Sequence, residues 1–574
     1  MERYPVLLEG SDDGVPEACK AWQTPKCAPV VAMGSQPSCC AGQEDVQVEN
    51  VTSLQHQVSE GGSEEGKDAD GGIQLSNMSI DFRHMTTTSA LTIEADLLRG
   101  ISLAKTLRNL GRLWRTSPAD LKESDRASLW QKSGRVERLD IFISHTWRTS
   151  GRVKSLALLL HSGWPVILLV YLLAAAAAVL FSVLEVLPLP FHRPEHFLAA
   201  EYQVARGVWV TLFTVVAMPI GLAISPYLRL RADPCCFLDV ACIHQADLEL
   251  QRKGVYGLGG FLAASREMHI LWSPPYLDRL WCVFEIAAFR KANPEGKVVV
   301  RPLFVEIQAL WWLLGYHIAG CITAVWLNVD LPWGGISYLV ASSPFIFICH
   351  RNRKHMREKR ELFQHLQHFR LEDAKCRMAS DREFILASIK QWYGSEEAFV
   401  EYVRGPLQQE LLESGADIPL SYCLLMVLAF VSLSLDTKTG VIIARVPLSP
   451  QLPHLMAHDI GYICLWFMLG LKISWRLTER FAAATSNRLL DFAVSFLLYL
   501  MGFLGWSWVG GELMLVALTS LWLSIAWILA MIAILTAIHF RLFTRAPPQQ
   551  LPQQPSLPQQ LPPVPPQQAE DGRT

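Results

Sequence analysis

Apolar positions along the chain fall into two kinds of run, long and short. Eight long stretches lie near 164–187, 207–228, 303–328, 333–350, 418–436, 455–475, 490–508 and 512–540. Each approaches the roughly 20 apolar residues that a helix needs to cross a bilayer. The fourth is the shortest and is interrupted by Ser342-Ser343-Pro344. The short runs are "RLDIFIS" (138–144), "CCFLDVACI" (235–243), "EMHILWS" (267–273) and "KVVVRPLF" (297–304). Unbroken runs of that length suit strands buried on both faces of a parallel sheet. Between them, 244–265 and 277–292 read as loop plus helix, the second placing Leu280, Phe284 and Ala287 or Ala288 on one face.

The first short run precedes the first pair of long stretches, and the other three follow it. A hairpin that crosses twice returns the chain to the side it left. Residues 138–156 and 232–302 therefore meet and can form one sheet. The cost is modest, because loop closure grows only logarithmically with insert length. The pattern predicts an α-helical membrane protein of eight spans carrying a split α/β domain.

Charge orients it. Residues 350–378 are strongly basic, and "RLR" (229–231), "RLTER" (476–480) and "HFRLFTR" (539–545) are basic too, whereas 188–205 holds one Arg and 437–452 one Lys and one Arg. Basic and poor loops alternate at every crossing, which places both termini in the cytosol. The expected order is a mostly disordered region over 1–135, split-domain pieces at 136–156 and 231–302, and hairpins at 157–230 and 303–350. A helical block over 351–417, four spans over 418–541 and a disordered tail over 542–574 complete it.

Composition agrees: 51% of residues are hydrophobic and only 18% charged, against about a quarter charged in soluble proteins. A net charge of −2 gives no reason to expect nucleic acid, and the lipid bilayer is the first partner. The 13 cysteines include no C-x-x-C pair, so no metal framework is indicated and free thiols are expected. The N-terminal 90 or so residues lack apolar runs and open without a secretory signal pattern. The tail is Pro/Gln low complexity with polyproline II character. Residues 97–115 alternate Leu97, Ile101, Leu107, Leu110 and Trp114 with five basic residues. That is a basic amphipathic helix, suited to an anionic leaflet or to packing on the split domain. Few charges fall inside the spans: Glu306 and Lys472 near their ends, and His317 deeper. Coupled transporters usually carry more.

The motifs themselves, "DIFISHT" (140–146), "FLDVACI" (237–243), "SREMHILWSPPYL" (265–277), "RLWCVFEIAAF" (279–289) and "VVVRPLF" (298–304), resemble in that order the Toll/interleukin-1-receptor (TIR) domain. The likeness covers roughly 90 residues in two pieces, and multi-pass proteins of unicellular algae carry similar split signatures. Its most specific part runs from Ser273 to Glu285. The resemblance implies a flavodoxin-like parallel sheet and signalling by self-association or through protein partners. Departures are a non-compact loop at 244–260 and the absence of the last helix and fifth strand, since the chain enters the membrane from 303.

Some TIR domains cleave the nicotinamide bond of NAD, and the resemblance then makes Glu285 the catalytic residue. Its carboxylate would stabilise an oxocarbenium-like state. Ser144, His145, Thr146 and Trp147 would line the cofactor side, with Trp272 or Trp281 offering a ring to stack on a base. The plain alternative makes Glu285 a solvated helix residue, Trp281 and Phe284 core, and the module non-enzymatic. No cofactor is required, and NAD enters as a possible substrate. Transport or conduction by the spans is a third class.

Overall fold

The computed structural model describes residues 91–197, 200–228, 230–329, 336–413, 418–485 and 487–543. Of the region 1–135 expected to be mostly disordered, the part before 91 lies outside them, as does the tail after 543. Residues 91–135 are ordered instead, with strands at Arg99–Ser102 and Gly134–Arg135 and helices at Leu103–Arg115 and Glu123–Trp130. Among the described residues there are eight strands: β1 (Arg99–Ser102), β2 (Gly134–Arg135), β3 (Leu139–His145), β4 (Phe191–Phe197), β5 (Ala200–Arg206), β6 (Cys235–Phe237), β7 (Ser265–Trp272) and β8 (Lys297–Pro302). The two pieces of the split domain do share a sheet, in the order β2-β1-β6-β3-β7-β8. Strands β6, β3, β7 and β8 are mutually parallel. Numbered by their own sequence they run 2-1-3-4, as in one common doubly wound arrangement. The sheet is nevertheless mixed, because β1 pairs antiparallel with β6 and with β2. Phe142 stacks on Phe237 at 4.6 Å, and Phe237 meets Phe261 at 4.5 Å, so aromatic contacts join the strands to their covering helix.

Two expectations change here. The run 235–243 is not one strand: β6 ends at Phe237, and Asp239–Cys242 form a helical turn whose Val240 amide donates to Asp239 Oδ1 at 2.8 Å. The segment 97–115 is not one amphipathic helix. It supplies β1 and then helix α1 (Leu103–Arg115), broken by left-handed Asn109, Leu110 and Gly111. Thr106, Leu107, Leu113 and Trp114 are buried, so the segment packs on the domain. Gly111, at φ +69°, lies so close to the helix carrying Ser155 that a Cβ would stand 2.2 Å from that of Ser155.

The inserted hairpin extends a crossover. Helix α2 (Gly151–Val183) begins where β3 ends, and Leu158, Leu159 and Leu160 in its first turns are buried in the domain core. Its 33 residues make a rod of about 50 Å, and beyond the sheet it exposes Leu169, Leu172, Leu173, Leu180 and Phe181. Such an apolar surface suits lipid. Helix α3 (Trp209–Ile224) returns the chain, and between the two lies an antiparallel β4–β5 hairpin that the sequence reading leaves as a loop. Helices α4 (Leu248–Tyr256), α5 (Leu258–Ala263) and α6 (Leu280–Ala292) complete the split domain, and α7 (Leu303–Asn328) starts directly from β8.

Helices α8 (Pro344–Gln367) and α9 (Ala379–Tyr393) belong to the block expected at 351–417. Phe384 and Trp392 of α9 pack on Phe284 at 5.7 and 5.5 Å. A bridge between Arg279 and Lys375 adds backbone bonds. The block thus covers the α6 face. Four long helices follow the block: α10 (Leu420–Ile443), α11 (Leu448–Arg480), α12 (Arg488–Leu518) and α13 (Leu521–Phe543). Among the described residues, six helices are long and apolar enough to cross a membrane: α2, α7, α10, α11, α12 and α13. Of the eight expected spans, α3 is too short at 16 residues, and the fourth is split into Ile336–Ser342 and α8 at Ser343. Asp436 of α10 accepts bonds from the amides of Val210 (2.8 Å) and Thr211 (3.1 Å), capping α3 from a neighbouring helix.

Candidate functional site at the carboxyl ends of the strands

Open α/β sheets bind ligands beyond the carboxyl ends of their strands, where the strand order reverses. In this sheet that point is the end of β3, flanked by β6 and β7. Ser144, 1% exposed, is the last but one residue of β3, and α6 brings Glu285 to it. The Ser144 hydroxyl donates to Glu285 Oε2 and also contacts the hydroxyl of buried Tyr276. Burial is the main cause that pushes the Glu285 carboxyl from 4.5 to about 8. The Ser144 bond opposes the shift and the Asp239 charge adds to it. Tyr276 is likewise held well above its ordinary value, first by burial and then by Cys282 and Glu285.

A second cluster adjoins the first. His145 Nε2 lies 3.4 Å from Asp239 Oδ1, and Lys154 Nζ lies 3.3 Å from His145 Nδ1. Lys154, on the first turn of α2, also donates to the Thr146 carbonyl at 3.0 Å. Burial, then the Lys154 charge, lowers the His145 pKa, so the ring is neutral at pH 7. Burial alone would raise Asp239, but His145 and its hydrogen bond, with the Val240 amide and Lys154, hold it below the usual carboxylate range. Trp147, 49% exposed, donates from Nε1 to Asp239 at 2.8 Å and meets His145 edge to face at 5.5 Å.

Ser144, His145, Thr146, Trp147 and Glu285 therefore converge. Trp281 does not join them: its indole donates to Asp381 at 3.2 Å and its ring packs on Phe284, on the face covered by α9. Trp272 is buried against Phe304. Three members were missed. Tyr276 lies inside the 273–285 motif, where its hydroxyl was a visible signal. Asp239 is hidden in an apolar run read as strand, and Lys154 is one of three cations, with Arg148 and Arg152, just before a long apolar stretch. Chemically, a neutral Glu285 can donate a proton, whereas stabilising a developing cation requires that it first ionise. No family model, no curated protein and no solved structure matches this chain.

Proposed function

We propose that this chain is a multi-pass membrane protein presenting a TIR-like module to the cytosol for signalling through protein association. The observation that carries the reading is the double junction between sheet and spans. Strand β3 feeds α2 through a five-residue turn, Thr146–Ser150, and β8 feeds α7 with no intervening residue. A module joined so directly moves with its helices, which suits relay of an event between bundle and sheet. The strand order and the Ser144–Glu285 pair support the TIR-like assignment. Trp147 and the 75% exposed Leu248 stand in the segments after β3 and β6, offering apolar side chains to a second copy.

The second reading, NAD cleavage through Glu285, is favoured by the perturbed carboxyl at the switch point. It is weakened by the protonated state that burial imposes at neutral pH. Incubating the purified full chain with NAD, beside Glu285→Gln, separates the two. Association without catalysis gives no NAD consumption by either form. Consumption by the native chain that Glu285→Gln abolishes overturns the first reading.

A further inference from the structure

The helix bundle contains a cavity of about 560 Å³, remote from the strand ends. It is lined along one face of α11 from His454 through Gly470 to Thr478. That is an axial distance of roughly 36 Å, enough to run through a bilayer's hydrocarbon layer of about 30 Å. Its middle is aromatic, with Trp312, Tyr316, Phe345, Phe430 and Phe467. No charge there would compensate a stripped ion, so an ion path is disfavoured. Near the β4–β5 hairpin the lining turns polar, with Lys438, His454 and His458 beside Arg206 and its partner Glu195.

Three observations indicate that the space is for an occupant. First, π-helical segments interrupt two lining helices, at Leu455–Trp466 and Gly505–Val509, and both border the cavity. Such segments frequently mark functional sites. Second, Gly470 and Gly511 line it, and a Cβ on either would meet nothing within 4 Å. A Cβ on Gly461 or Gly510, by contrast, would stand 2.2 Å from Trp527 or 2.0 Å from Trp466. Third, the buried indole nitrogens of Trp312 and Trp506, two lining residues, have no hydrogen-bond partner among the described residues.

The polar end gives the chemistry of the head group. His454, His458 and Asp459 place their ligand atoms within 4.8 Å of one another, as a metal triad would. Lys438 Nζ, however, stands 3.0 Å from His454 Nδ1 and 3.2 Å from Asp459 Oδ2, so an ammonium already fills the cation's place. Lys438, His454 and His458 line the cavity, and Asp459 is not among its lining. Donors thus face inward, with the acid behind them.

We propose that this cavity binds a single-chain amphiphile of the fatty-acid class, its chain among the aromatic rings and its carboxylate at Lys438, His454 and His458. The proposal is independent of the function assigned to the sheet. It is tested with the full chain in phosphatidylcholine nanodiscs titrated with labelled palmitate. Saturable binding, displaced by unlabelled palmitate, is expected. Gly470→Phe and Gly511→Leu fill the space from two different helices, and each should weaken binding by about tenfold or more while melting as the native chain does. Lys438→Gln should weaken palmitate but leave hexadecanol unchanged. Absence of saturable binding overturns the proposal, as does native affinity in either folded filling variant. Stoichiometric zinc lost in His454→Ala would assign the polar end to a metal instead.

Discussion

Glu285 carries its proton because Ser144, Tyr276 and the protein around them displace the water that would solvate a carboxylate. The unfolded chain releases that proton near pH 4.3, and the folded chain holds it to about 8. The folded state therefore binds more protons between those values, and stability falls as pH rises through the window. Glu285→Gln has no such slope. It should match the native chain below about pH 4 and exceed it above pH 8 by on the order of a few kcal/mol, read from melting curves at several pH values. A native curve flat from pH 5 to 9 would show a solvated Glu285. Asp239, bonded to the neutral His145 ring, is the nearby counter-charge of the buried Lys154, so Asp239→Ala should cost about 3 kcal/mol, chiefly by stranding the Lys154 charge. A loss below about 0.5 kcal/mol, as at an ordinary surface position, would contradict that role. These groups differ in how visible they are beforehand. Ser144 and Glu285 sit in motifs with a recognisable order, whereas the Asp239 partnership exists only once β6 is laid beside β3.

At the level of elements, α2 has two halves with different solvents. Leu159 is fully buried against the sheet, and Leu172 is 53% exposed beyond it. Leu159→Ala should cost about 2–5 kcal/mol, and Leu172→Ala well under 1 kcal/mol, since only a lipid-facing contact is trimmed. Equal losses in denaturant-induced unfolding would refute the division. Gly111→Ala should destabilise by about 1–3 kcal/mol, combining a left-handed backbone with a collision on Ser155. The strands and the split sheet are legible because apolar runs and topology are local or combinatorial facts. The β4–β5 hairpin is not, because its strands carry charge and one buried anchor, Val204, rests on Val441 and Val446 from far along the chain. The break in α1 is equally hidden: its 3.6-residue periodicity survives a kink made by tertiary packing.

For the whole molecule, we propose from the alternation of basic loops that the sheet, α9 and both termini face the cytosol and the β4–β5 hairpin the other side. A protease-accessible tag between β4 and β5 should be cut only from the non-cytosolic side. Asn50 and Asn77, in Asn-x-Ser/Thr patterns outside the described residues, should carry no glycan. Glycan on either would invert the molecule. Association of the sheet with a second copy is measured most directly by energy transfer between donor- and acceptor-labelled full chains in the same vesicle. Native chains should show transfer above that of an unrelated membrane protein at equal density. Leu248→Asp should bring it down to that background while NAD stays untouched and melting stays within about 0.5 kcal/mol of native stability. Native transfer no higher than the background, or transfer indifferent to Leu248→Asp, would contradict association through the strand-end loops.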